Sequence, residues 1–483
     1  MNIKAISSNV GRALLVSALF MFVSMLISLV YGMDAGFGPL LISCIITAIF
    51  GSFPFIFVKG IQEVSRKDGF LTIVISWVLS FIFGMLPYVL YGGEFTIINA
   101  WYESVSGYTT TGSTILNDIE ALPKSLLFWR SSTHFIGGLG VVVYLLLILP
   151  DDSPFKLQLS HMEISSLMRE GYHYRASKVV SIIFAVYFGI FAVSTLLYWF
   201  AGMSFFDAVN HAFSVTSTGG FSTRNESIAS FRSTTIDLVS LVLMLIAGMH
   251  FGLIFSIFAT RSLKPLKNSV FLYYIASLAV MTFLVFVNLM RKGTYAAWWL
   301  ALKDAAFHIV SYNTGTGFAC ADNSLWPMLS GAVLMFACFQ CACSGSTTGG
   351  IKADRMLIFW KSITREIRTR LHPSSVLPVK INKRPVNEET VYSALNYIVL
   401  YLMLLVISSL VLLMTGLPAD DAISGTLASV SNCGPALHDI GSLGNFSDFN
   451  VLQKFVITFD MFLGRIEIYP FLLVLAMMFK KEM

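Results

Sequence analysis

Long apolar runs separated by short polar clusters dominate the chain. The runs near 11–31, 37–58, 70–90, 126–150, 179–200, 235–260, 269–290, 326–343, 391–415 and 452–479 are each long enough, or nearly so, to cross roughly 30 Å of hydrocarbon as a helix. They predict ten spans, the eighth interrupted by a polar stretch. The first run could pass for a signal peptide. It is too long, lacks a small-residue cleavage site and is followed by nine more spans, so it is read as a transmembrane helix.

Between the spans lies a repeat. "NAWYESVSGYTTTGS" (99–113), "DAVNHAFSVTSTGGF" (207–221), "DAAFHIVSYNTGTGF" (304–318) and "DAISGTLASVSNCGP" (421–435) align without a gap. Each opens on Asn or Asp followed by Ala, at Asn99, Asp207, Asp304 and Asp421, and each places a glycine 13 positions later, at Gly112, Gly220, Gly317 and Gly434. The leading Asn or Asp is read as the N-cap of a short helix. Such a helix enters the membrane without crossing it, and the Gly- and hydroxyl-rich segment is the return. Irregular backbone at membrane depth is tolerated only when it is buried in protein or lines a water-filled cavity.

Four such hairpins, each between two spans, make four helix–P-loop–helix units. Around a pseudo-fourfold axis their helix C-termini, the negative dipole ends, would converge and favour a cation. The return segments could present backbone carbonyls in place of an ion's hydration shell, with glycine allowing close approach. Hydroxyls such as Thr109, Thr110, Thr111, Ser113 and Thr114 could brace that backbone or add oxygen ligands.

Composition agrees. The chain is 56% hydrophobic and only 12% charged, against about 25% charged for soluble domains, which makes it an all-α integral membrane protein. Lys4, Arg12, Lys59, Arg66, Lys67, Lys156, Arg169, Arg175, Lys178, Arg261, Lys264, Lys267, Lys480 and Lys481 fall on one side of a ten-span topology, which places both termini in the cytoplasm. Arg291 and Lys292 break the rule. The net charge of +5 follows from topology and gives no reason to invoke nucleic acid. Cys338, Cys341 and Cys343 have no neighbouring histidine or carboxylate and read as packing residues. His134, His211, His250 and His308 read as hydrogen-bonded interior residues.

Two features lie beyond the loops. The eighth span meets "CSGSTTGGIK" (343–352), where small and hydroxyl residues cannot continue a lipid-facing helix. The string lacks the spacing and preceding strand of a nucleotide-binding P-loop. Arg465, midway along the last span in "MFLGRIEIYP", is an intramembrane charge that by default implies a function or a partner. Glu467 is expected to face another subunit segment or the interface. The stretch from Lys352 to Arg384 carries nine Lys or Arg against Asp354 and Glu366 and suits anionic lipid heads or a docking partner.

The loops "SGYTTTG", "STGGFSTRN", "TGTGFACAD" and "SNCGP", together with "LGRIEIYP" (463–470), resemble the superfamily of K⁺ transporters that includes TrkH, KtrB and the plant HKT proteins, and two spans before the first repeat favour the TrkH branch. The resemblance implies two extra N-terminal helices (1–68) and pore repeats at 69–160, 161–265, 266–385 and 386–483. It implies a K⁺ filter at Thr110, Thr111, Gly112, Thr218, Gly219, Gly220, Gly315, Thr316, Gly317, Asn432, Cys433 and Gly434, K⁺ being held by filter backbone. The intramembrane loop (Gly345, Ser346, Thr347, Thr348, Gly349, Gly350), Lys352 and Arg465 would form a gate. It further implies K⁺ uptake at a bacterial inner membrane, a homodimer, and a cytosolic TrkA-type ring that binds NAD and adenine nucleotides. This chain itself has no dinucleotide fingerprint and is expected to bind no cofactor. An Na⁺-selective or Na⁺/H⁺-coupled symporter is the alternative, although no coupling carboxylate stands out in the pore. A membrane enzyme would need a nucleophile–base pair or metal cluster, and Glu103 and His134 have no evident partners in sequence.

Overall fold

The computed structural model describes residues 2–57, 66–148, 176–375 and 377–479. Lys59, Lys156, Arg169, Arg175, Lys480 and Lys481, and the expected boundary near 160, lie outside the described residues.

The fold is helical and membrane-spanning. Helices α1 (Ile3–Val30) and α2 (Phe37–Phe57) form an antiparallel pair, and α1 also packs on α3 (Arg66–Gly84) and α6 (Lys124–Ile148). After them the chain repeats one pattern four times: an outer helix, a short pore helix, a loop and a second helix. The outer helices are α3 with its short continuation α4 (Leu86–Tyr91), then α7 (Ala176–Phe200), α11 (Ser269–Arg291) and α15 (Glu388–Met414). The pore helices are α5 (Ile97–Tyr108), α8 (Phe205–Ser217), α12 (Trp298–Asn313) and α16 (Ala419–Val430). At about 1.5 Å per residue none of these four crosses a bilayer. In α2, α7 and α11 only 28% of the most apolar window is buried, as expected of helices facing lipid, which is as apolar as their side chains.

Among the described residues six helices are long and apolar enough to span, or seven if the bent pair Thr234–Ala247 and Phe251–Thr260 counts as one span. The other four apolar runs are the second helices of the repeats, and all four are bent or broken, not only the third. α6 departs from helical geometry at Gly140 (φ +68°). α9 (Thr234–Ala247) and α10 (Phe251–Thr260) meet at 96°. α13 (Met328–Gln340) and α14 (Ala353–Leu371) are separated by residues 341–352. α17 (Val451–Arg465) and α18 (Tyr469–Phe479) are separated by Ile466, Glu467 and Ile468, the last two left-handed. A hydropathy profile sees the third, polar break but not the other three, because the residues at those are largely apolar or small. A short hairpin, β1 (Lys380–Ile381) with β2 (Arg384–Pro385), follows α14.

The leading residues of the repeat are not N-caps. Thr96 caps α5 by accepting from the Asn99 N–H (3.4 Å), and Ser204 caps α8 by accepting from the Asp207 N–H (3.1 Å). Pro418 precedes α16, and α12 starts at Trp298, which leaves Asp304 in its second turn. Asn99, Asp207 and Asp421 therefore occupy the third helical position, where a polar or negative side chain complements the helix N-terminus. A hydroxyl or proline three residues upstream already starts the helix.

Candidate functional site

The four loops repeat in dihedral angles as well as in letters. Eleven positions after the leading residue, Thr110, Thr218, Gly315 and Asn432 have φ of +55°, +55°, +69° and +53°. A β-branched residue in the left-handed region is strained, and such strain persists only where the surroundings enforce it. Two positions on, Gly112, Gly220 and Gly317 are also left-handed.

Those glycines close a ring. A Cβ on Gly112 would stand 2.0 Å from the Gly219 carbonyl oxygen, and one on Gly220 would stand 2.1 Å from the Thr316 carbonyl oxygen. On Gly317 it would meet Pro435 Cδ at 2.8 Å, and on Gly434 the Thr111 carbonyl oxygen at 2.8 Å. Each loop abuts the next, and the fourth returns to the first. Gly112, Gly220 and Gly317 keep some exposure, whereas Thr110, Thr111, Thr218, Gly219, Gly315, Thr316, Asn432, Cys433 and Gly434 are buried. The ring lies at the C-terminal ends of the four pore helices.

Serine braces this backbone from behind. Ser106 Oγ donates to the Ser113 carbonyl (2.6 Å), Ser214 Oγ to that of Phe221 (2.6 Å) and Ser311 Oγ to that of Phe318 (2.7 Å). All three lie seven positions after the leading residue. The fourth copy has Ala428 there and Pro435 after its glycine, so its loop is held differently: Asn432 Nδ2 donates to Thr111 Oγ1 (3.2 Å) and to the Met461 carbonyl (2.8 Å).

Glu103 and His134 do have partners. Arg130 forms a buried ion pair with Glu103, donates to the Ser222 carbonyl at 3.0 Å and lies 3.6 Å over the Phe221 ring. Glu103 in turn accepts from Thr114 Oγ1 (3.0 Å) and the Ile115 N–H. His134 donates from Nδ1 to the Gly107 carbonyl (2.7 Å) and accepts at Nε2 from the Phe221 N–H (3.1 Å). First and second loops are thereby cross-linked. His211 and His308 are hydrogen-bonded as expected, but neither nitrogen of His250 is. The cysteines are free, and no group of His, Cys, Asp or Glu among the described residues could hold a metal.

Residues 341–352 lie against the ring. Thr218 Oγ1 donates to Thr347 Oγ1 (3.1 Å), and a Cβ on Gly349 would meet Asn432 Oδ1 at 2.5 Å. Within the loop Ser346 Oγ donates to the Cys343 carbonyl and shares a hydrogen bond with Thr348 Oγ1. Gly345 and Gly350 are left-handed, the latter tight against Cys341 Sγ. Arg465 donates to the Thr347 carbonyl and to the Gly137 carbonyl, both at 2.6 Å, and so ties α17, the loop and α6 together. Lys352 is a tether. Its Nζ lies 2.5 Å from Glu467 Oε1, and Arg355 binds Oε2 of the same carboxylate at 2.7 Å. Glu467 thus faces its own chain at the break between α17 and α18, where its left-handed backbone carries the carboxylate to both cations.

The serine brace, the Arg130–Glu103 pair and the Glu467 cluster escape a reading by motif. The serine was findable, since it recurs at one offset in three copies. The ion pairs join residues far apart in sequence and had no such signal.

The family model of TrkH, cation transport protein, matches residues 40–303 and 300–483. The Trk system potassium uptake protein TrkH of Escherichia coli (strain K12) is 30% identical over 389 residues, 80% of each chain. Its namesake in Halomonas elongata is 30% identical over 476 residues, 97% of each chain. The crystal structure of the potassium transporter TrkH from Vibrio parahaemolyticus superposes with a TM-score of 0.88 at 28% identity, covering 100% of this chain and 99% of that one. Sequence and fold agree over nearly the whole chain, and the chain belongs to the TrkH family of cation transport proteins.

Proposed function

We propose that the chain takes up K⁺, with Rb⁺ tolerated, across a bacterial inner membrane, both termini being cytoplasmic. The observation that carries this is the closed ring in which each filter glycine abuts the next loop. A cation losing its water there meets carbonyl oxygens at four helix C-termini. The same ring supports reading residues 69–483 as four pore repeats.

The loop 343–350 and Arg465 act as the gate. The guanidinium holds the loop by its backbone and adds positive charge below the ring, two separate barriers to a cation. Release falls to a cytosolic TrkA-type ring that binds NAD and adenine nucleotides, acting on a homodimer through the basic face of α14. This chain's own part is binding, dehydration and gating, without covalent chemistry or a cofactor of its own; anionic lipid heads suit the same basic stretch. The test is ⁸⁶Rb⁺ uptake into K⁺-loaded proteoliposomes with external K⁺ or Na⁺ as competitor. K⁺ is expected to compete far better than Na⁺; equal competition would refute the K⁺ assignment.

One observation favours proton coupling as a second reading. Asp460 in α17 is fully buried, accepts from Ser408 Oγ at 2.7 Å and leaves Oδ2 without a partner. Intramembrane carboxylates are commonly functional. If coupling is real, Asp460→Asn abolishes the dependence of uptake on a pH gradient; if uptake never depends on that gradient, the reading is dismissed.

A further inference from the structure

The 96° elbow between α9 and α10 has a use that the filter and Arg465 do not cover. Breaking a helix frees a carbonyl and an N–H, and at membrane depth both need partners. The intramembrane loop supplies them: the Cys343 N–H donates to the Gly248 carbonyl (3.1 Å), and the Phe251 N–H donates to the Gly345 carbonyl (3.0 Å).

Between these two bonds lies His250. It is 8% exposed, and neither ring nitrogen has a hydrogen-bond partner. Two glycines make its slot: a Cβ on Gly345 would fall 2.3 Å from ring Cδ2, and one on Gly252 would fall 2.7 Å from Cε1. The charged group acting on the ring is Asp354, in the first turn of α14, which accepts from Ser344 Oγ at 2.6 Å. The other titratable groups around the elbow are the Cys343 thiol and the Tyr274 hydroxyl of α11, which stands against Gly248.

We propose that this elbow is the catch that seats the intramembrane loop and that His250 is its positioning residue, biasing the loop toward release and linking release to proton uptake. The inference rests on the gating reading above. With the loop seated, the imidazole is buried and neither nitrogen has a protein hydrogen-bond partner, an unfavourable state for a polar ring. With the loop withdrawn, water reaches both nitrogens and the ring can take up a proton in the mildly acidic range. A ligand that binds one state better shifts the population toward it, so cytoplasmic protons favour the withdrawn loop.

The test uses the full chain in proteoliposomes with His250→Leu, of similar bulk but apolar, and His250→Gln, polar but not titrating. Two readouts are taken: alkylation of Cys343, which is 1% exposed, by N-ethylmaleimide at pH 7.5 with mass-spectrometric site assignment, and ⁸⁶Rb⁺ flux as cytoplasmic-side pH falls from 7.5 to 5.5. His250→Leu is expected to slow Cys343 alkylation on the order of tenfold, the scale set by one buried polar group left unpaired. Flux through the unaltered chain rises on acidification and is flat in both variants. Unchanged alkylation and an unchanged pH profile in both variants overturn the proposal. Slower alkylation with unchanged flux instead overturns the gating reading, because the loop would then move without controlling the path.

Discussion

Gly220→Ala places a methyl group where the ring has no room for one. Its carbon would stand 2.1 Å from the Thr316 carbonyl oxygen on a backbone at φ +86°. The left-handed backbone alone costs an L-residue about 1–2 kcal/mol. The contact costs more, because its partner is backbone: one of the two loops must retreat by about 1 Å, whereas a working site is held within about 0.5 Å. Gly202→Ala is the control, with φ +106° and nothing within 4 Å, so it carries backbone strain without the collision. In ⁸⁶Rb⁺ uptake competed by external K⁺ or Na⁺, Gly220→Ala is expected to lower the preference for K⁺ at least about tenfold, equivalent to about 1.4 kcal/mol. Gly202→Ala is expected to leave it unchanged while lowering thermal stability. If the two variants discriminate equally well, the ring is not the selective constriction and the reasoning fails.

Ser311→Ala removes the brace on the Phe318 carbonyl, at about 1–3 kcal/mol for a buried acceptor left unpaired; reduced K⁺/Na⁺ discrimination in the same assay checks it, and full retention would mean the loop holds itself. Arg130→Met strands the Glu103 carboxylate, both partners being at most 2% exposed, and should destabilise the protein by about 3–5 kcal/mol. The double variant Arg130→Met/Glu103→Gln should recover part of that loss in detergent melting curves. Arg465→Gln loses the charge and the bonds to Thr347 and Gly137; partner-independent ⁸⁶Rb⁺ flux should rise several-fold, and an unchanged flux would remove Arg465 from the barrier.

The ring of loops was legible in the sequence because a closely similar backbone geometry is used four times. Gly112, Gly220, Gly317 and Gly434 keep one spacing since a Cβ at each would press on the neighbouring loop, on its backbone or, at Gly317, on the Pro435 ring. The caps were misplaced by about one turn because Asp and Asn serve equally as caps and as third-position residues, and only the fold reveals Thr96 and Ser204 in the capping role. The breaks at Gly140, at Gly248–His250 and at Glu467–Ile468 were hidden because hydropathy is a property of composition, and a bend among apolar and small residues leaves it unchanged. The intramembrane loop was visible because its polar residues lie inside an apolar run. Its attachments were not, since Arg465 and the α9–α10 elbow hold backbone atoms, which are the same in every sequence.

The central claim is that a dehydrated cation rests within the ring formed by the four loops. Crystals of the full chain soaked in Rb⁺, measured at the rubidium absorption edge, test it most directly. An anomalous peak is expected on the ring axis, coordinated by backbone oxygens beside Gly112, Gly220, Gly317 and Gly434 and displaced by K⁺ but not by equal Na⁺. A peak only outside the ring, or one that Na⁺ displaces as readily as K⁺, would contradict it.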